Sequence, residues 1–170
     1  QPVGLKNVKE CSAERVENVS KDLEDKSSCE ATLYWKGKSD SSFSEARALR
    51  SSYEANGRLV RLVFGIGALP EGYLAFRLDI SNRIGGFSVE KMKLVDVAGD
   101  LLWRWSGDDS DLTEIVDVEF VCSAQSGASR VTGISATGSD PQFQLLVGAD
   151  VLARLSEQSG RFELIFRAFV

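Results

Sequence analysis

"RFELIFRAFV", residues 161–170, decides how the rest of the chain is read. Phe162, Leu164, Phe166 and Ala168 fall on one face of an extended segment, the period-two pattern of a strand that buries one side. The stretch is apolar enough to predict a central strand that pairs back with an early one, as the closing strand of a jelly roll does. Working back from it, "GADVLARLSEQSG" (148–160) is the one late helix, with Val151, Leu152 and Leu155 as its apolar side and Gly160 as its stop.

The segments before that helix are short and extended, separated by turn residues. "ATLYWKG" (31–37), "ARALRSSY" (46–53), "RLVRLVF" (58–64) and "YLAFRLDI" (73–80) read as strands. Asn56-Gly57 introduces the third, and Leu74, Phe76 and Leu78 share a side of the fourth. In "FSVEKMKLVDV" (87–97) the apolar residues do not keep one face, which predicts a bulge or twist. Ala98-Gly99-Asp100 turns the chain into "LLWRWS" (101–106). "EIVDVEFVCSA" (114–124) alternates as one strand, with Val116, Val118, Phe120 and Cys122 opposite Asp117 and Glu119. "SRVTGISATG" (129–138) and "PQFQLLV" (141–147) complete the set. About ten short strands without βαβ alternation predict a mostly β chain, an antiparallel β-sandwich of jelly-roll type. Residues 29–170 form that domain.

Residues 1–28 read differently. The stretch 7–28 lacks Pro and Gly, and Val8, Cys11, Val16, Val19 and Leu23 make a thin helical stripe after a short linker. Such a helix either docks on its own domain or forms the end of a coiled coil, giving a homo-oligomer. The chain begins without Met and contains one, Met92, so it reads as a piece of a longer protein.

Composition narrows the chemistry. The chain has 170 residues, 43% of them hydrophobic, and a net charge of −5, which speaks against a nucleic-acid partner because phosphate affinity comes from clustered Lys and Arg. No apolar run is long enough to span a membrane. Histidine is absent, which removes His-based nucleophilic triads and His-ligated metals. Three cysteines, Cys11, Cys29 and Cys122, show no metal-ligand spacing and fit a reducing, cytoplasmic compartment.

Four constellations could carry function. Trp103 and Trp105 share a face of their strand; they either fill the core or form an aromatic platform for a sugar. Trp103 reads as core, whereas Trp105, beside the polar "SGDDSD" loop, is carried as a ligand contact. Tyr34 and Trp35 must point oppositely, and Leu33 places Trp35 inward, leaving Tyr34 outward. "RLDISNR" (77–83) gathers Arg77, Asp79, Asn82 and Arg83, forked donors and acceptors suited to an acidic sugar or, alternatively, an ion pair and a turn that fix the loop. "GSDPQFQ" (138–144) adds Asp140 and Gln142, where Ser-Asp-Pro also makes a turn. The acidic run from Asp108 to Glu119 lacks the spacing of a calcium loop, so no cofactor or metal is expected, a structural calcium being the weaker alternative. Gly65 and Gly67 lack the lysine and third glycine of a phosphate loop.

"LAFRLDISNRIGGFSVEKMKLVDVAGDLLWRW", with "ATLYWKGKSDSSFSEARAL" before it and "SATGSDPQFQLL" after it, resembles an accessory β-sandwich domain. Such domains are fused to large bacterial glycosyltransferases and methyltransferases that build O-antigens and other surface polysaccharides. The similarity spans roughly residues 31–147. It implies a carbohydrate-binding-module-like fold, often beside a coiled coil, a catalytic domain in the same full-length chain, and work on the cytoplasmic side. It transfers no ligand residues. Together these observations predict a non-catalytic carbohydrate-binding module for a bacterial surface polysaccharide. A structural or oligomerisation domain without a ligand is the alternative. An enzyme would be left with a two-carboxylate mechanism, for which Asp79 and Asp140 are the nearest candidates, or a Lys/Tyr mechanism.

Overall fold

The computed structural model describes residues 27–126 and 129–170. The expected helix at 7–28 lies outside them except for its last two residues, and Ser28 already opens the first strand. Among the described residues, eleven strands and one α-helix follow in the order β1 (Ser28–Gly37), β2 (Ala48–Glu54), β3 (Asn56–Ile66), β4 (Tyr73–Asp79), β5 (Gly85–Asp96), β6 (Leu101–Arg104), β7 (Leu112–Val116), β8 (Val118–Ser126), β9 (Ser129–Ala136), β10 (Gln142–Leu145), α1 (Ala149–Gln158) and β11 (Gly160–Phe169). They form two antiparallel sheets in a sandwich-like arrangement. One has the order β2-β1-β4-β10-β7, the other β3-β11-β5-β9-β8, with β6 also pairing β5.

The closing strand β11 lies between β3 and β5, so the early partner and the central position read from its apolar face are both present. Phe162, Leu164, Phe166 and Ala168 are wholly buried. They meet Phe76, Leu78 and Phe143 of the opposite sheet in one core, where Tyr53 stands edge-on to Phe166 at 4.8 Å between centroids. Each buried Phe contributes roughly 1.5–3 kcal/mol relative to exposure.

The broken alternation of β5 has the expected cause. Lys91 faces Ile165 but Val89 faces Phe166, so Glu90 is an extra residue in the strand. Phe87 and Val89 point inward before it, Met92 and Leu94 after it; the bulge moves the buried face by one residue. A second irregularity corrects β4. Gly37 pairs Tyr73 whereas Lys36 pairs Ala75, so Leu74 is skipped. Tyr73 is therefore buried and Leu74 exposed, although Leu74 shares sequence parity with Phe76 and Leu78.

The turn signal at Asn56-Gly57 lies at the start of β3: β2 pairs β1 while β3 pairs β11, so the chain changes sheets between Glu54 and Asn56, and Gly57, at φ +82°, follows inside β3. One expectation from local sequence is overturned by sheet crossing. "EIVDVEFVCSA" is not one strand. Asp117 takes a left-handed φ of 54°, ending β7 against β10 and starting β8 against β9. Val116 is exposed for this reason. Asp117 also anchors the next crossing, its carbonyl accepting from the Thr137 amide at 2.8 Å and its carboxylate from the Asp140 amide at 3.2 Å.

The late helix is present at Ala149–Gln158, but its stop is Ser159, at φ +61°, while the expected stop, Gly160, opens β11. Leu155 is fully buried, and α1 packs on both β4 and β5, so it closes one end between the sheets. No helix among the described residues is long and apolar enough to cross a membrane.

Candidate functional site

The outer face of the β2-β1-β4-β10-β7 sheet assembles most of the candidate residues. Cross-strand pairing sets Ala48, Tyr34, Arg77, Gln144 and Thr113 in one row. The adjacent row holds Arg50, Thr32 and Asp79, and Gln142 lies one step beyond the Phe143–Leu78 pair, beside Asp79. Alternation along each strand sends Leu33, Phe76, Leu78, Phe143 and Leu145 into the core and these polar residues outward.

Arg77 is the centre of the arrangement. Its Nε and Nη2 donate to the two carboxylate oxygens of Asp79 at 2.8 and 2.9 Å, a forked pair that fixes the guanidinium plane. The guanidinium carbon lies 4.2 Å from the Tyr34 ring centroid and 5.4 Å from that of Phe43, stacking contacts of the kind Arg favours. Phe43 also receives the Lys36 ammonium at 5.0 Å. Tyr34 points outward as its register requires, yet it is buried: the β1–β2 loop folds over it, and its hydroxyl donates to Glu45 at 3.0 Å. Its ring is therefore the floor beneath Arg77 rather than a free stacking platform. Phe43, the outer aromatic, was missed in the sequence; its only signal was an aromatic isolated within a polar loop.

The loop that carries Phe43 is latched to the β3–β4 connection. Glu71 accepts from the Ser39 amide at 2.9 Å and from Arg47 at 2.6 Å, and Arg47 also pairs Asp40 at 3.2 Å. These bonds, led by the Ser39 hydroxyl, hold the Glu71 carboxyl down to about 2. Asp79 moves the other way. Burial raises its pKa above the ordinary carboxylate value, with Arg77 opposing and Asp140 reinforcing the shift. That balance of burial and a guanidinium partner makes Asp79 a candidate site residue.

Other candidates have different surroundings. Asp140 accepts from Gln142 Nε2 at 2.7 Å, so both border the Asp79 row. Asn82 Oδ1 accepts from the Glu30 amide at 3.1 Å, and Arg83 donates to the Ser28 carbonyl at 3.2 Å. Those two hold the start of β1, the loop-fixing alternative for this segment. Trp105 is a correction: it is 6% exposed, packs against Phe120 at 6.3 Å, and its indole N–H donates to the Asp108 carbonyl at 2.6 Å. It has no open face for a sugar. Trp103, expected to be the deeper of the two, is only half-buried, with its indole N–H on the Leu146 carbonyl at 3.0 Å. The reversal follows from the loop at 106–111, where Asp108 caps a 3-10 turn at Asp109–Asp111 and brings its own carbonyl over Trp105. Leu101 is exposed as well, because the β5–β6 register shifts between Leu94 and Val95.

The acidic loop spends its carboxylates on its own backbone: Asp108 accepts from the Ser110 amide at 2.9 Å and Asp111 from the Ser106 amide at 2.7 Å. Among the described residues no three His, Cys, Asp or Glu converge in a way that could hold a metal ion. Cys29 is a free, buried thiol, Cys11 lies outside the described residues, and the Cys122 side chain is likewise outside them. A cleft of about 610 Å³ opens between α1 and the β3–β4 connection, lined by Leu69, Leu74, Leu152 and Ala153 among others; none of the candidate residues lines it.

The chain matches no protein-family model, no curated protein and no solved structure.

Proposed function

We propose that the outer face of the β2-β1-β4-β10-β7 sheet recognises carbohydrate. In this reading the domain is a non-catalytic module that holds a bacterial surface polysaccharide beside a glycosyltransferase or methyltransferase domain on the cytoplasmic side. The observation that carries the reading is Arg77, whose guanidinium lies against the Tyr34 and Phe43 rings and is clamped by Asp79. Two of its five N–H groups go to Asp79, and a guanidinium already held in place can donate to sugar hydroxyls at little further ordering cost. Asp79, Gln142 and Gln144 supply acceptors and amide donors along the same face, and Phe43 supplies an apolar ring. The arrangement spans neighbouring strands spaced about 4.8 Å apart, a surface suited to a short run of sugar units rather than a buried monosaccharide.

The jelly-roll part of the reading is supported by the strand orders. The chain alternates between sheets through β2, β3, β4 and β5, and again from β9 to β10 to β11, as a jelly roll does. β1 occupies the place beside β2 and β4 that a closing strand would take, and β7 and β8 extend the two sheets at one side. Modest affinity suffices for such a module, since tethering to a catalytic domain raises effective concentration.

Isothermal titration with a panel of O-antigen polysaccharides tests the reading. Saturable binding by one glycan is expected, weakened at least tenfold in Arg77→Ala with the β-sheet circular dichroism unchanged. A folded sample that binds no glycan at millimolar sugar overturns it.

A further inference from the structure

The opposite outer face, on the β3-β11-β5-β9-β8 sheet, carries a charge the whole chain does not. Register and alternation put Arg61 on β3, Arg161 and Arg167 on β11, Lys91 and Lys93 on β5 and Arg104 on β6 on this outer side. The acids among them are Glu163, Glu90 and, on β8 opposite Ser135, Glu119. Six bases against three acids stand on one face of a chain whose net charge is −5.

Glu163 shows how the cations are arranged. Its side chain is 5% exposed, with Arg61 at 3.0 Å and Arg161 at 3.2 Å, and Lys93 lies directly across in register. Arg61 in particular holds its carboxyl below the ordinary value. One carboxylate shared by two guanidiniums leaves positive charge in excess, and the guanidiniums that cover it stay open to solvent: Arg61 at 61% and Arg161 at 41% of the side chain. Arg167, with Glu90 at 3.9 Å, is 42% exposed. Between the cations, Leu59 and Val63 of β3 are exposed apolar side chains, and Leu101 extends the apolar positions past Arg104.

We infer that this face docks on an anionic phospholipid bilayer. A sheet face with dispersed Arg and Lys meets headgroup phosphates with complementary charge, and interleaved Leu and Val enter the interfacial layer. A soluble polyanion would be served better by a groove tracking one chain, and this face has exposed side chains of both kinds in no such line. The docking leaves the Arg77 surface facing away from the lipid, because the two faces lie on opposite sides of the sandwich. It is also independent of whether that surface binds sugar.

Vesicle co-sedimentation decides the matter, comparing phosphatidylcholine vesicles with and without phosphatidylglycerol. The protein is expected to sediment only with the anionic vesicles, and to be released as salt rises. Arg61→Ser and Arg104→Ser each lower the partition about fivefold, whereas Arg130→Ser, on β9 away from the set, leaves it unchanged. Because Arg61 contacts Glu163, Arg104→Ser serves as the variant with no ion pair among the described residues to lose from the network. Absence of binding to anionic vesicles, equal binding to neutral ones, or no effect of either substitution overturns the inference. So does Arg104-dependent binding of soluble hyaluronate without binding to vesicles.

Discussion

Arg77 and Asp79 are two residues apart on β4 and share its outer side, so their forked pair could be read from "RLD" alone. The stacking around them could not. Tyr34 comes from the neighbouring strand and Phe43 from a polar loop, and only register and loop closure bring the three rings and planes together. Arg77→Lys keeps the charge but removes the fork and the plane, so it is expected to behave like Arg77→Ala in glycan titration rather than like the wild type. Asp79 gives a pH prediction. Its folded pKa is raised by burial, so the folded state holds the proton more tightly than the unfolded chain. Stability attributable to Asp79 is then greatest below its unfolded value and declines as pH rises through the folded one. The difference in unfolding free energy between wild type and Asp79→Asn should shift toward the wild type as pH is lowered from neutral. A difference independent of pH in urea titrations would contradict this.

At the scale of elements, the irregularities matter more than the strands. The bulge at Glu90 was legible because the apolar residues of β5 changed parity. The skip at Leu74 was not, because nothing in "YLAFRLDI" marks which residue the partner strand will pass over. Asp117 shows the sharper failure of local pattern: alternation runs unbroken across it, yet the chain changes sheets there. Asp tolerates the left-handed conformation and its carboxylate caps the β9–β10 crossing, so Asp117→Val should cost about 1–2 kcal/mol from backbone strain alone, measured by chemical denaturation. Asp117→Gly should keep the turn and lose the carboxylate contact. The loop bearing Phe43 is governed by Glu71. Its lowered pKa means that the latch is fully made above the ordinary carboxylate value and lost as pH falls toward about 2. Amide exchange in Lys38–Arg47 should rise over that range, and Glu71→Gln should raise it at neutral pH.

Across the whole molecule, β11 holds both halves together, since it is paired on both sides and all four of its inward residues are in the core. Phe166→Ala removes the edge-on partner of Tyr53 as well as buried area, and should cost about 3–5 kcal/mol in urea unfolding. The same central strand joins residues from opposite ends of the sequence, so folding should be slow for the size of the domain, in the range of milliseconds to seconds, by stopped-flow tryptophan fluorescence. Alternating side chains and turn residues were enough by themselves to define a mostly β chain, most of its strand segments, its late helix and its central last strand, because period-two burial is a local property. Which side chains meet across strands, which tryptophan is buried, where the chain crosses between sheets, and that cations gather on one outer face and the Arg77 cluster on the other were decided only by tertiary structure. Those depend on register and on bulges, where a shift of one residue exchanges the two faces of a strand.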